Sequence, residues 1–551
     1  MYNILVGGAA GQGIETTAAI LEKLLKKSGY NVFTIRDFMS RVRGGHNFSL
    51  VRFGSEEIFS HTYELDGIIA FNDETIILHK DQLKADGFIL CGSQSEIEDP
   101  KMIKIDMMGI ARSLGNFRAA GSVAIGTVLK LFGESLDHVN QVFKQFVKED
   151  YLEVNLKAAE EGYQAVEAKY AHIEGKYGEW MILSGNKALA LGALAAGLRF
   201  YSAYPMSPST TIMEYLAGKS VETGIVVEQA EDEIAAVNMA IGASFAGARA
   251  MTGTSGGGFA LKVEALGLSG MAEIPLVIVD VQRPGPVTGL PTRTEQSDLK
   301  FVISASQGEF PRMVIAVRNH KDAFYQTIRA FEMAEKYQLP VIILSDQYIG
   351  DSSATVEPFN IKDIPTVNLL RDSEIEGEYL RYRFSEDGIS KRLIPGRVKH
   401  FVTADSDEHD EKGWITESAE VRVKMMDKRL KKLELLKEKL EEPEFLGAED
   451  FTRLVVAWGS VYGPLKEAIE LINKSQEEKY GALVFGDIYP LPQKVLREKA
   501  ARALKIINVE QNATGQLADL IKEQTGITCD RSILKYDGRQ ITAKEIIEKM
   551  L

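Results

Sequence analysis

Short apolar runs that stop at a glycine and pass straight into a helical stripe recur along this chain, and that rhythm admits few folds. The first is Asn3–Val6, followed by the turn Gly7–Gly13 and by Ile14–Lys27, whose apolar residues return every three or four positions. Further strand-like runs are Asn31–Arg36, Asn47–Phe53 and Gly67–Ala70, and Asn140–Tyr170 reads as one long helix. Beyond the polar stretch Glu174–Gly178 the pattern resumes. A small-residue helix, Gly185–Phe200, precedes strands at Gly224–Val227, Leu276–Val281, Met313–Ala316 and Val341–Leu344, with helices between them. The last stretch repeats it at Leu454–Trp458, Ala482–Phe485 and Lys505–Val509, with helices at Gly463–Ile472 and Gly515–Gln524. A helix between successive strands returns the chain to the same end of a sheet, so the expected class is α/β with largely parallel sheets.

A chain of 551 residues is too long for one core. The pattern divides it into three α/β domains, residues 1–175, 180–370 and 448–551, with a polar connector over 371–447. The connector carries a helix expected over Glu417–Leu440, read first as a solvated helix with Leu433, Leu436 and Leu440 along one side and second as a coiled coil to a partner. Glu441–Gly447 reads as a linker around Pro443.

Composition excludes several roles. The formal net charge is −14, which disfavours a nucleic-acid partner, since phosphate contact needs clustered Lys and Arg. No run is long and apolar enough for a membrane span. The N-terminus, without a basic segment, reads as a first strand, so a cytoplasmic location is expected. The only cysteines are Cys91 and Cys529, too few for an iron–sulfur cluster and not spaced for zinc. Any metal or redox centre is therefore expected on another chain.

Six motifs carry candidate chemistry. Gly7–Gly13 presents backbone N–H groups at a helix start, which suits an anion; as a dinucleotide fingerprint it is incomplete and the weaker reading, because Thr16 stands where a third glycine belongs, although Asp37 stands near the end of the second strand. An anion or coenzyme site and a plain tight turn both remain open. Arg43, Gly44 and Gly45 could grip a phosphate or simply form a surface loop. In Tyr204-Pro205-Met206-Ser207-Pro208-Ser209 two prolines fix the orientation of the Ser207 hydroxyl. Glu228, Glu231, Asp232 and Glu233 lie where a strand meets an Ala-rich helix; this exceeds what helix capping needs, and one of them set against small residues could become a proton-handling acid. Finally, Asp280–Asp298 follows an apolar strand and is stiffened by three prolines, with Arg283 and Arg293 each able to clamp a carboxylate. The run Thr254-Ser255-Gly256-Gly257-Gly258 ends another strand and permits close approach of a cofactor or partner backbone.

Taken together, Tyr204–Ser209, the acidic run at Glu231, Thr254–Gly258 and Arg283–Asp298 resemble the alpha subunit of 2-oxoacid:ferredoxin oxidoreductases. The N-terminal region, with Gly7–Gly13 and Arg43-Gly44-Gly45, resembles the family's gamma subunit. The C-terminal region, with Gly459-Ser460, Tyr489-Pro490-Leu491-Pro492 and Val509–Leu517, is similar to its transketolase-C-terminal-like domain. The resemblance spans nearly the whole chain and implies a gamma-type domain, a pyrimidine-type thiamine-diphosphate-binding domain and a transketolase-C-terminal-like domain.

It further implies coenzyme A-dependent oxidation of a 2-oxoacid with ferredoxin as electron acceptor. Thiamine diphosphate would be shared with a beta subunit that carries Mg2+ and a [4Fe-4S] cluster, in an αβ heterodimer or its dimer. Glu231 is the expected acid at the pyrimidine ring, with Glu233 and Glu228 as alternatives. Ser207, Tyr204 and either Arg283 or Arg293 would meet the substrate, and Thr254, Ser255 and Gly256 the cofactor. Arg43, Gly44, Gly45, Gly11 and Gly13 would meet coenzyme A. Ser207, Gly257 and Val287 stand where the family usually has threonine, proline and serine. 2-Oxoglutarate is the first expected substrate, with branched-chain oxoacids and pyruvate next. A non-redox thiamine-dependent subunit and a non-catalytic assembly protein are the competing classes.

Overall fold

The computed structural model describes every residue except 41–44, 363 and 365–371. It contains three sheets, of eight, seven and five strands, and the chain groups into two compact units.

The first unit comprises Met1–Ser184, Asp351–Pro358 and Thr542–Lys544. Its eight-stranded sheet is mixed. Tyr2–Ala9 pairs in parallel with Leu65–Ala70 but antiparallel with His46–Gly54, which separates it from Asn31–Asp37. Ile14–Lys27 forms the expected helix, its buried face formed by Ile14, Ala18, Leu21 and Leu25. Two late additions come from outside the N-terminal stretch: Met181–Ser184 and Ser353–Val356 pair with each other, and the latter also with Asn31–Asp37. The single helix expected over Asn140–Tyr170 is two, Val139–Phe143 and Glu149–Gln164. Lys148 breaks it by taking an extended backbone, with ψ at 148°.

The second unit holds Gly185–Gly350, Phe359–Ile541 and Glu545–Leu551. Its larger sheet runs Asp487–Tyr489, Met313–Ala316, Pro340–Asp346, Leu276–Gln282, Ala250–Thr254, Phe200–Ala203, Val226–Gln229. All pairings are parallel except the first, contributed by the Tyr489-Pro490 motif. The small-residue helix closes at Ala195, and Gly197, at φ 84°, turns the chain so that Phe200 begins a strand instead of ending the helix.

The five-stranded sheet orders Glu444–Gly447, Tyr480–Phe485, Arg453–Trp458, Lys505–Glu510 and Arg531–Leu534. Glu444–Gly447, read from sequence as linker, is thus an edge strand: its four residues pair antiparallel with the Gly481–Val484 backbone. One apolar cluster runs through both sheets, from Val237 and Phe259 to Trp458 and Leu517.

The two sheets of this unit are also stitched by a single amide. Gln296 accepts at Oε1 from Gln511 N (3.1 Å) and donates from Nε2 to Trp458 O (2.8 Å), while its backbone N–H donates to Gln511 O (2.7 Å). Beside it Glu510 is buried and accepts from Leu517 N, Ala518 N, Trp458 Nε1 and the amides of Asn508 and Asn512. A carboxylate supplied with this many donors caps the helix Gln516–Thr525 from inside the fold.

The connector helix spans Ala419–Lys437, and its inward side differs from the expected leucine stripe. Met425, Lys428, Arg429, Lys432 and Leu436 are buried, a helical stripe in which the central residues are cations. Glu273 makes this possible: fully buried, it bonds Lys428 at 2.6 Å and also Lys432, while Glu408 receives Arg429. The periodicity was apolar only at its ends, so charge content alone misassigned the face.

Candidate active site

Four of the motifs sit at the carboxyl ends of four neighbouring parallel strands. Ala203 leads into Tyr204–Ser209, Gln229 into the acidic run, Thr254 into the glycine run and Gln282 into Arg283. In an open α/β sheet this edge is where ligands bind, because each strand delivers a loop there while the helices cover the faces.

The loops converge on one another. Thr254 Oγ1 lies 3.9 Å from Met206 Sδ. Arg283 donates from Nη1 to the Ser207 carbonyl at 2.6 Å. The glycine run begins the short helix Gly256–Phe259 and forms the floor between them. A Cβ on Gly256 would lie 2.4 Å from Asp298 Oδ2, on Gly257 3.2 Å from the Val287 carbonyl, and on Gly258 2.2 Å from Thr254 Oγ1 and 2.6 Å from Glu233 Oε1. Side chains at 256 and 258 would fill the floor, which is the physical reason for glycine there.

The acidic run divides sharply. Glu231 is exposed, as is Glu228 on the edge strand, so the burial expected at 231 is not found there. It falls two residues later. Asp232 caps the helix Glu233–Phe245, accepting from Ala235 N at 2.8 Å, and the first helical residue is thereby turned inward. Glu233 is 4% exposed, and its Oε1 is buried without a hydrogen-bond partner. A buried carboxyl oxygen with no partner is costly, and it marks a group whose partner is a ligand or another chain.

Beneath Arg283 lies a second acidic element. Asp280, on the strand Leu276–Gln282, is fully buried with neither carboxyl oxygen hydrogen-bonded, and Asp298 Oδ2 is also unpartnered. Burial, with Asp298 beside it, holds the Asp280 carboxyl well above the usual range. Burial pushes Asp298 up to about 6, opposed by Arg283. Glu295 is pushed up to about 7, chiefly by burial and then by Asp298. Tyr204 and Ser207 are exposed at the mouth, Thr254 and Ser255 are buried, and Ser255 Oγ has no partner. Arg293 lies with its Cβ and Cγ against Gly538.

Comparison with known proteins decides the family. Residues 191–428 match the model described as pyruvate flavodoxin/ferredoxin oxidoreductase, thiamine diP-bdg. Residues 3–165 match pyruvate ferredoxin/flavodoxin oxidoreductase, and residues 452–546 match pyruvate:ferredoxin oxidoreductase core domain II. The chain is 32% identical to the 2-oxoacid:ferredoxin oxidoreductase subunit alpha of a Sulfolobus species, over 99% of this chain and 96% of that one. The chain belongs to the 2-oxoacid:ferredoxin oxidoreductase alpha subunits.

Among its relatives, the 2-oxoglutarate synthase subunit KorA of Archaeoglobus fulgidus is 33% identical, over 67% of this chain and 98% of that one. The 2-oxoglutarate:ferredoxin oxidoreductase of Magnetococcus marinus, solved with 2-oxoglutarate, coenzyme A and succinyl-CoA bound, superposes with a TM-score of 0.92 at 31% identity, covering 100% of this chain and 98% of that one.

For this alpha subunit, Ser207, Arg283, Thr254, Ser255, Gly256 and Glu233 are brought to one sheet edge, whereas Glu231 is exposed and Arg293 packs against Gly538. Sequence reading placed Asp280 at the head of the Asp280–Asp298 motif but gave it no role, although an aspartate inside the otherwise apolar Leu276–Val281 is rare in a strand buried on both faces. Lys262, buried in Val263's preceding turn, was missed for the same reason.

The expected coenzyme A motifs lie in the first unit. Gly11 and Gly13 have φ of 92° and 77°, are exposed, and face open space, while Gln12 closes the turn by accepting from Ala9 N at 2.7 Å. Arg43 and Gly44 lie outside the described residues. Gly45, at φ 84°, packs its Cα side against Met39, and the adjoining His46 ring meets His79 at 2.9 Å. Among the described residues no group of three or more His, Cys, Asp or Glu side chains is placed to hold a metal, and no helix is long and apolar enough to cross a membrane.

Proposed function

We propose that this alpha subunit supplies the aminopyrimidine half of a thiamine-diphosphate site. A beta subunit carrying Mg2+ and a [4Fe-4S] cluster completes it in an αβ heterodimer or its dimer. The assembled enzyme, in the cytoplasm, oxidatively decarboxylates a 2-oxoacid to acyl-CoA and CO2 and reduces ferredoxin. The observation that carries this reading is the Glu233 carboxyl: buried, with an unpartnered oxygen, above a floor where side chains at 256 and 258 would clash.

The residues present fit the cofactor. An aromatic ring needs a flat, close surface, which the Gly256–Gly258 backbone offers, and a ring nitrogen needs a carboxyl partner, which Glu233 Oε1 lacks within the chain. Thiamine diphosphate, when bound, supplies the nucleophile for the 2-oxo carbon and the electron sink for decarboxylation. Glu233 holds the proton exchanged with the ring. Thr254 and Ser255 line its approach, and Met206 packs against the Thr254 hydroxyl.

Arg283 is the residue we assign to the substrate carboxylate. It is held by the Ser207 carbonyl and balanced by Asp298, so its charge is turned to the same mouth as the Ser207 hydroxyl and Tyr204. Arg293 then has a structural role beside Gly538. Coenzyme A is assigned to the Gly11–Gly13 turn and the Arg43–Gly45 segment, where open left-handed glycines begin the helix Ile14–Lys27.

2-Oxoglutarate is the favoured substrate, supported by relatives named for it. The test is an assay of the complex with the beta subunit against 2-oxoglutarate, pyruvate and branched-chain oxoacids, with coenzyme A and a viologen acceptor. Preference for 2-oxoglutarate supports the full reading. Another preferred oxoacid changes only the substrate, and no oxoacid-dependent reduction with an intact cluster removes the proposal.

A further inference from the structure

The start of the Glu233 helix rests on a buried cation. Lys262 lies in the turn Ala260–Lys262 that follows the glycine run, with no exposed surface. Its Nζ donates to Thr252 Oγ1 at 3.0 Å and to the Glu233 carbonyl at 3.2 Å. Both acceptors are neutral, so neither offsets the charge of an ammonium removed from water. The neighbours along the chain, Phe259 and Leu266, are core residues, and an apolar side chain would pack there without that penalty.

The carboxylates that act on Lys262 are Glu233 first and then Asp232; burial opposes them and takes the amine down to about 8. Of these two, Asp232 is exposed and occupied as the helix cap, whereas Glu233 is buried with Oε1 unpartnered. Next along the chain is Glu264, which is exposed, and the buried Tyr201 hydroxyl lies against Gly253, beside Thr252. Lys262 is therefore the cation paired in charge, though not in direct contact, with the acid of the site.

We propose that Lys262 is a positioning residue for Glu233: it ties the first turn of the Glu233 helix to the strand Ala250–Thr254 through Thr252 and supplies the positive charge against which the Glu233 carboxyl is held. This rests on the assignment of Glu233 to the thiamine ring. It adds a residue that touches neither cofactor nor substrate yet governs how the acid meets the ring.

The experiment is a double-mutant cycle on the αβ complex, with Lys262→Met, Glu233→Gln and the pair, read by thiamine diphosphate affinity in calorimetry and by the near-ultraviolet circular dichroism of the bound aminopyrimidine. Lys262→Met alone is expected to weaken thiamine diphosphate binding by about tenfold and to change the dichroism of the bound ring. In the Glu233→Gln background the same substitution is expected to change affinity less than about twofold, because the charge it served is gone. Equal losses in both backgrounds would show Lys262 to be structural only, and no loss in either would remove it from the site; both outcomes overturn the proposal. If the methionine variant does not assemble, Lys262→Gln enters the same cycle. Glu233→Gln by itself separates the two claims: wild-type binding and dichroism in that variant overturn the assignment of Glu233, whereas a large change there with a silent Lys262→Met overturns only the role of Lys262.

Discussion

Glu233 Oε1 and the empty side of Gly258 are so close that a Cβ on the glycine would stand 2.6 Å from the carboxyl oxygen. The acid and the glycine floor come from different strands, so their fit is a tertiary relationship, and it can be broken without touching the acid itself.

Gly258→Ala is the first test. Gly258 has no left-handed backbone to preserve, and within a helix alanine would ordinarily add about 0.5–1 kcal/mol of stability. Here its methyl would meet Thr254 Oγ1 and Glu233 Oε1. The expected outcome is a loss of at least about tenfold in kcat/KM for the oxoacid in the assembled enzyme. Gly257→Ala, which meets only the Val287 carbonyl at 3.2 Å, is expected to lose much less.

The Asp280–Asp298 pair predicts a pH signature. Burial lifts both folded-state carboxyls above their ordinary 3.8, Asp298 to about 6 and Asp280 well above the usual carboxylate range. Protonated, they suit their buried positions; stability they contribute is complete below pH 4 and is lost as pH rises through about 6 and beyond. Asp280→Asn removes one buried charge. Its melting temperature relative to wild type is expected to be higher at pH 8 than at pH 5. Thermal scans at the two values check this, and a difference that does not grow with pH contradicts it.

Arg283 and Arg293 are separable by kinetics. Arg283→Lys loses the planar fork that reaches the Ser207 carbonyl and is expected to lower kcat/KM for the oxoacid by about a hundredfold, mostly through KM. Arg293→Lys is expected to stay within a few-fold. Equal losses would place both arginines on the substrate.

The connector helix depends on Glu273. Removing its carboxylate leaves Lys428 and Lys432 buried without a counter-charge, a change that costs on the order of 3–5 kcal/mol. Glu273→Ala is therefore expected to unfold at lower urea and to expose Ala419–Lys437 to limited proteolysis.

Much of this was legible in the sequence because strand and helix periods are local. Ile14–Lys27 and Met313–Ala316 match their expected bounds, and three of the four site loops follow strands read from the sequence, whereas the strand Phe200–Ala203 was hidden by the small-residue helix before it. What was not legible depends on partners distant in the chain. A run of Lys and Arg looks solvated until Glu273, more than 150 positions away, is placed against it. Two acids separated by one residue look equivalent until Asp232 caps the helix and turns Glu233 inward while Glu231 faces out. Glu444–Gly447 resembles a linker because an edge strand draws its order from Tyr480–Phe485 and not from its own composition.

The most direct test compares Glu233→Gln with Glu231→Gln in the enzyme assembled with its beta subunit, measuring oxoacid-dependent viologen reduction with coenzyme A. The account predicts that Glu233→Gln lowers kcat by about a hundredfold or more while Glu231→Gln stays within a few-fold of wild type. Full activity in the Glu233 variant, with the loss appearing at Glu231, would contradict it.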